Sequence, residues 1–354
     1  MRAIPSRNQL LEFLIREWIL TASFTGLILS SLILRRLPSY SPEDFEIIFV
    51  LAVFLALIRG LEEAGFFEVM TGFLGGDASG LKLLGATFFL SMVVTNDVAL
   101  MATLPVALRC QSQRKALLIV YLAIAANAGS SLSPFGNPQN LFIYWFYDLH
   151  PGAFLKTIAP LSIVCGGLLL ILGLIFLRGL RFEACRDVQF NQSIGIYLGL
   201  FLALVVTILK IFPLWLGWIV LALAVFLDYR VIKIDYFLLL TFLCFFGLTD
   251  NLAFVLKSSI KEIDHVFWMA AFSSQLISNV PAALLGADFT RQWPALLWGV
   301  NVGGFGSLVG SLANLIAFRF YLKQSSSQGH FLLLFHLWGY LFFALGSGLF
   351  WLLY

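Results

Sequence analysis

Asn127-Ala-Gly129-Ser-Ser-Leu-Ser133-Pro-Phe-Gly136-Asn137-Pro-Gln-Asn140 returns 174 residues later as Asn301-Val-Gly303-Gly-Phe-Gly-Ser307-Leu-Val-Gly310-Ser311-Leu-Ala-Asn314. Five pairs keep that one spacing: Asn127/Asn301, Gly129/Gly303, Ser133/Ser307, Gly136/Gly310 and Asn140/Asn314. Both copies set glycine, serine and asparagine into an otherwise apolar run. Glycine and serine also serve plain helix packing in membranes, so a single stretch would mean little. Two broken apolar segments at matching places in two halves point to the binding region of a membrane transporter.

The rest of the chain names its solvent. It is 60% hydrophobic and 12% charged, with a mean hydropathy of +0.93, whereas a soluble domain carries about 25% charged residues. Apolar runs at 18–34, 157–177, 194–208 and 331–354 approach or reach the roughly 20 residues that cross a bilayer. The expectation is an all-α polytopic membrane protein. No cleavable leader is expected, because the first apolar run is long, starts with Glu12, Arg16 and Glu17, and meets no small-residue cleavage site. Cys110, Cys165, Cys185 and Cys244 form no CxxC pair, and His150, His265, His330 and His336 show no ligand spacing, so neither metal nor cofactor is expected. Nothing in the charge pattern suggests nucleic acid. The chain has no GxxxxGK[ST] motif for direct use of ATP. An enzyme would need a nucleophile and a base at one membrane depth, and no histidine or cysteine lies near the duplicated motifs.

Read for spans, residues 1–80 hold N-terminal scaffold spans (17–34 and 45–58) and a half-polar surface segment (59–80) bearing Glu62, Glu63 and Glu68. Residues 81–177 hold a re-entrant hairpin (81–108, tip Thr95-Asn96-Asp97), a broken helix (116–147) and a span. Connecting spans fill 178–235. Residues 236–354 hold a span (236–248), a second hairpin (266–289, tip Ser278-Asn279-Val280-Pro281), a second broken helix (293–318) and a last span. The sum is about nine spans and two hairpins. With the N-terminus inside and the C-terminus outside, the 22 Lys and Arg divide 15 inside to 7 outside, the sign expected of cytoplasmic loops. Arg35 and Arg36 fit worst. The hairpins then open to opposite sides, which makes the halves inverted repeats.

A helix broken inside the membrane exposes N–H groups at one new end and carbonyls at the other. The first kind of end attracts anions and the second attracts cations. The candidate site is therefore Thr95, Asn96, Asp97, Asn127, Gly129, Ser133, Gly136, Asn137 and Asn140 with Ser278, Asn279, Asn301, Gly303, Ser307, Gly310, Ser311 and Asn314. Pro138 and Pro281 serve as helix breakers. An ionised aspartate at mid-membrane costs roughly 2.5–3.5 kcal/mol on insertion scales. Asp97 is thus either a carboxylate coupling protons or sodium, or a cap on the half-helix that starts at the tip. Its counterpart is Val280. A sodium ion would lie among Asn96, Asp97, Asn140, Asn279 and Asn314.

The two tips and two breaks together resemble the paired motifs of the ion transporter superfamily, from about Phe45 to the end of the chain. That superfamily takes in citrate and dicarboxylate permeases, arsenite permeases and one class of sodium–proton antiporters, and the match is nearest to its bacterial inner-membrane anion transporter branch. The resemblance implies a scaffold and a transport part, an elevator-type motion and a homodimer in the inner membrane. It makes Asn96 and Asn279 tip ligands, with Gly129, Asn137, Asn140, Gly303, Ser311 and Asn314 framing cargo and ion. Dicarboxylate members that resemble this pattern carry Ser-Asn-Thr at both tips, whereas Thr-Asn-Asp and Ser-Asn-Val here resemble the arsenite and antiporter branches more closely. The expected function is transport of a small inorganic or organic anion coupled to sodium or protons. The alternatives are sodium–proton antiport through Asp97 and arsenite or oxyanion efflux.

Overall fold

The computed structural model describes residues 17–72, 79–110, 112, 114–180, 191–256, 265–323 and 328–354. Arg2, Arg7, Arg16, Arg181, Arg186, Lys257 and Lys261, all used in the charge count, lie outside the described residues, as do Glu12 and Cys185.

The described chain is helical throughout. In order it forms α1 (Trp18–Leu34), α2 (Pro42–Glu63), α3 (Phe66–Gly72), α4 (Ser79–Val93), α5 (Asn96–Leu108), α6 (Lys115–Ser130), α7 (Pro138–Phe146) and α8 (Pro151–Phe176). Then come α9 (Gln192–Ile208), α10 (Leu216–Leu227), a single 3-10 turn (Tyr229–Ile232), α11 (Tyr236–Leu256), α12 (Val266–Ile277) and α13 (Asn279–Ala287). The chain closes with α14 (Trp293–Gly303), α15 (Leu312–Leu322) and α16 (Gln328–Leu353). Segments 151–176, 229–255 and 328–353 are long and apolar enough to cross a membrane unaided, and the shorter apolar helices run 10–17 residues.

Local chemistry sets several starts. Ser41 Oγ accepts from Asp44 N at 3.2 Å while the Asp44 carboxylate accepts from Ser41 N at 2.8 Å. This reciprocal capping box, with Pro42 at the first helical position, stabilises the start of α2 by about 1 kcal/mol. Asn137-Pro138 opens α7 and His150-Pro151 opens α8 by the same proline logic.

Polarity is distributed for a bilayer. Every buried polar residue among those described is a serine, threonine, asparagine or glutamine, with no buried Asp, Glu, Lys or Arg. Large apolar side chains face outward instead, among them Ile163 and Ile175 on α8, Phe226 on α10 and Leu333 on α16. In water such a surface would drive aggregation, and in lipid it is the expected one. The protein is a multi-pass membrane protein.

The helices pack in two groups. One comprises α1, α2, α9, α10 and α11, and the other α4 to α8 with α12 to α16. They meet where α2 touches α7, where α11 touches α13, and where α3 bridges α2 and α5.

Three sequence expectations change. The segment 59–80 does not simply lie on the surface. Its first residues continue α2, and α3 buries Phe67, Val69 and Thr71. The span at 236–248 extends to Leu256, so Asp250 and Asn251 sit inside a helix. There Asn251 Nδ2 donates to Ser30 Oγ at 3.0 Å and Ser31 Oγ at 2.9 Å, pinning α11 to α1. Arg36, an outlier of the charge pattern, donates to Asp250 Oδ2 at 2.5 Å and covers the Phe254 ring. The pair is neutral, which removes that misfit. Other ion pairs also join loop ends: Arg230 reaches Glu63 at 3.0 Å, and Lys210 binds Asp148.

Candidate functional site

Two hairpins and two broken helices meet at the centre of the larger group. α4 and α5 are the arms of the first hairpin, α12 and α13 those of the second. α6 breaks at 131–137 before α7, and α14 breaks at 304–311 before α15. Glycine permits the close approach of arm to broken helix. A Cβ on Gly129 would lie 2.1 Å from Phe88 O, and one on Gly303 2.5 Å from Ser274 Cβ. No side chain fits there.

Each tip docks on its own break by the same bond. Asn96 N donates to Gly136 O at 3.1 Å, and Asn279 N donates to Gly310 O at 3.0 Å. The serine of each break reaches back to the arm before the tip: Ser133 Oγ donates to Met92 O at 2.6 Å, Ser307 Oγ to Gln275 O at 3.1 Å. The asparagine that starts each second half-helix gathers the carbonyls of the break. Asn140 Nδ2 contacts Ser130 O, Ser131 O and Ser133 O at 3.1–3.3 Å. Asn314 Nδ2 donates to Gly304 O at 2.8 Å and Ser307 O at 3.0 Å.

The halves then exchange one bond each way. Asn127 Nδ2 donates to Asn314 Oδ1 at 2.8 Å, and Asn301 Nδ2 donates to Asn140 Oδ1 at 2.8 Å. The amide orientation follows from the partners. Nδ2 of Asn140 and of Asn314 is committed to carbonyls, so each Oδ1 must face the other half. Weaker contacts extend the set: Asn96 Nδ2 to Asn127 Oδ1 at 3.2 Å and Ser311 Oγ at 3.3 Å, and Asn137 Nδ2 to Asn301 Oδ1 at 3.4 Å. Interhelical hydrogen bonds in membranes contribute only about 0.6–2 kcal/mol each. Leaving a buried amide unpartnered costs about 1–3 kcal/mol, so it is the completeness of the network that holds it.

All seventeen candidate residues lie on the tips, breaks or adjoining half-helix ends, and the hydrogen bonds join both halves into one cluster. The capping role proposed for Asp97 belongs to Thr95, whose Oγ1 accepts from Val98 N at 3.4 Å. Asp97 is in the first turn of α5, half-buried, and its shielded Oδ1 has no hydrogen-bond partner among the described residues. Asn137 caps α7 by accepting from Asn140 N at 2.9 Å. Its counterpart Ser311 makes no side-chain cap. Pro138 and Pro281 each sit in the first turn of a half-helix, where a missing N–H costs nothing. Ser278 adopts φ 77° and ψ 158°, a region that is essentially glycine's own and costs a side-chain-bearing residue about 1–3 kcal/mol.

Sequence reasoning missed Gln275. It lacks the glycine–asparagine pattern, yet its amide spans the second break. A glutamine inside an apolar hairpin arm was the available signal. Beside the first tip a cavity of about 10 Å³ is bordered by Thr95, Phe135, Asn137 and Pro138, which is room for roughly one water. A larger open cleft of about 480 Å³, lined by His265, Trp268, Gln292 and Tyr354, lies at the base of the second hairpin and away from this cluster.

A family profile described as citrate transporter matches residues 13–298. The chain is 34% identical over 252 residues to the uncharacterized transporter MJ0456 of Methanocaldococcus jannaschii, covering 68% of this chain and 70% of that protein. It is 32% identical over 298 residues to the inner membrane protein YbiR of Escherichia coli, covering 78% and 80% respectively. The tips and the first break fall inside the profile match, and the protein is a membrane transporter belonging to the citrate transporter family of the ion transporter superfamily.

Proposed function

We propose that the protein is an ion-coupled secondary transporter of a small anion, built as two inverted repeats that carry the cargo by an elevator-type motion. The observation that carries this reading is the gathering of four half-helix N-termini, at Asn96, Pro138, Asn279 and Leu312, around one cluster of neutral amides. Each N-terminus presents about half a positive charge, enough together to hold an anion without a basic side chain. The C-termini of α4, α6, α12 and α14 bring carbonyls to the same cluster, which suits a cation travelling with it. Carboxylates such as citrate are the first cargo to test, following the name of the family profile.

Two features support the inversion and the motion. Gly80 N, at the base of the first hairpin, donates to Leu180 O. The Tyr147 hydroxyl, beyond the far end of the first broken helix, reaches Ala287 O and Thr290 O at the end of the second hairpin. The hairpins therefore enter from opposite ends in this reading. The cavity beside the first tip is too small for a carboxylate, so cargo enters in another arrangement of the two helix groups. Nine spans, a homodimer in a bacterial inner membrane, an inside N-terminus and an outside C-terminus complete the proposal.

The test is uptake into proteoliposomes under imposed sodium or proton gradients, with citrate, smaller carboxylates, oxyanions and arsenite as cargoes. Gradient-driven accumulation of an anion is expected. The unpartnered Oδ1 of Asp97 favours one second reading, sodium–proton antiport. Sodium-dependent alkalinisation with no added anion would establish that reading and sink the first.

A further inference from the structure

The two hairpin arms differ at a position that reaches the break. Gln275 stands four residues before Asn279, where the first half has Met92 four residues before Asn96. Gln275 Nε2 donates to Gly303 O at 2.6 Å, and its Oε1 accepts from Ser307 N at 2.6 Å. Space for this amide comes from Gly306, where a Cβ would lie 2.2 Å from Gln275 Oε1. The first half has Leu132 at the equivalent position. Met92 supplies its break with a backbone carbonyl alone, which accepts from Ser133 Oγ.

Charge is distributed the opposite way. Asp97, whose shielded Oδ1 has no partner, is in the half that lacks the glutamine, and Val280 takes its place in the half that has it. A shielded carboxylate oxygen with no donor calls for a cation or a proton. A carbonyl and an N–H at a helix break that are both held by one neutral amide call for neither. We infer that Gln275 stands in for a second coupling cation, so that the transporter couples a single cation per cycle, bound at the first tip beside Asp97. This rests on the ion-coupled reading above. Gln275 is then a positioning residue that fixes stoichiometry, and the asymmetry of the halves has a function.

The experiment follows the unfolding midpoint of the purified full-length protein against sodium, with choline as replacement at constant ionic strength, and then against pH at fixed sodium. A cation that binds only the folded state raises the midpoint by mass action. The wild type is expected to show one saturable cation step, and Asp97→Asn to weaken it at least about tenfold. Gln275→Glu keeps the acceptor for Ser307 N–H but removes the donor to Gly303 O, so it is expected to add a second sodium-dependent step. Two steps in the wild type, full retention of the step in Asp97→Asn, or a folded Gln275→Glu with no added step would each overturn the inference. Should Gln275→Glu not fold, the wild type and Asp97→Asn decide alone. A wild type indifferent to both sodium and protons would overturn the ion-coupled reading itself.

Discussion

The first half of the site leaves a shielded carboxylate oxygen without a partner, while the second half ties its break with a glutamine amide but strains its backbone at the tip. In the first, Thr95 caps α5 in ordinary extended geometry and Asp97 Oδ1 has no partner. In the second, Gln275 ties Gly303 to Ser307, while Ser278 is held at φ 77° with no cap hydrogen bond. The shared frame is the same in both: Asn96 and Asn279 on the breaks, Asn140 and Asn314 over the carbonyls. Duplication supplies the frame, and the differences supply the chemistry.

The largest contrast is expected between the gathering asparagines. Asn140→Ala strands Ser130 O and Ser131 O, because Ser133 O keeps Gly136 N and the Asn301 amide keeps Leu297 O. Asn314→Ala strands Gly304 O, because Ser307 O keeps Gly310 N and the Asn127 amide keeps Ala123 O. At about 1–3 kcal/mol per unsatisfied group, Asn140→Ala should destabilise by about 4 kcal/mol and Asn314→Ala by about 2. Both should lose transport. Thermal unfolding and proteoliposome uptake check this, and a normally folded Asn140→Ala or Asn314→Ala with full transport would remove that asparagine from the site. Next come the close-approach glycines. Gly129→Ala overlaps more deeply, at 2.1 Å from Phe88 O, than Gly303→Ala, at 2.5 Å from Ser274 Cβ, and neither atom can rotate away. Overpacking of this kind costs about 1–3 kcal/mol, with Gly129→Ala expected at the upper end. Equal unfolding midpoints for the two would contradict the difference in packing.

A gain is expected at the second tip. Ser278→Gly relieves the left-handed backbone and should stabilise by about 1 kcal/mol, while Thr95→Gly should destabilise by a few tenths. Opposite shifts in the unfolding midpoint are the readout. The smallest effect lies beyond the first broken helix, where Lys210 pairs with Asp148 and covers the Trp145 ring at 5.1 Å. Lys210 holds the Asp148 carboxyl below its ordinary range, through the hydrogen bond first and charge second. A lowered carboxylate stabilises fully above its unfolded pKa, and that contribution disappears as pH falls through the folded value. The carboxylate is well exposed, so the amount is under about 1 kcal/mol. Asp148→Asn should erase it at neutral pH and change nothing in acid. The equivalent position in the second half is Leu322, where no such pH dependence is expected.

Much of this was readable in the chain. The constant offset of 174 residues located both breaks, and Asn96 and Asn279 marked both tips, because helix interruption needs residue types that stand out in an apolar run. What escaped reading depends on approach between distant segments. Gln275 matters because Gly306 makes room beside Gly303 and Ser307, and pattern alone does not bring those atoms together. Thr95 rather than Asp97 became the cap because the helix starts two residues earlier than a cap by Asp97 requires. Arg36 looked misplaced until Asp250, 214 residues away, was found to pair with it.

The reciprocal bonds Asn127 to Asn314 and Asn301 to Asn140 have a consequence for descent. A half-length chain would bury an asparagine acceptor with nothing to meet it and leave an asparagine donor one bond short. Two copies of such a chain would satisfy both at once. In such a pair both halves would be bound to carry the same residues, whereas one continuous polypeptide leaves each half free to differ. Aspartate in one half and glutamine in the other are the kind of divergence that fusion permits and a pair of identical chains forbids.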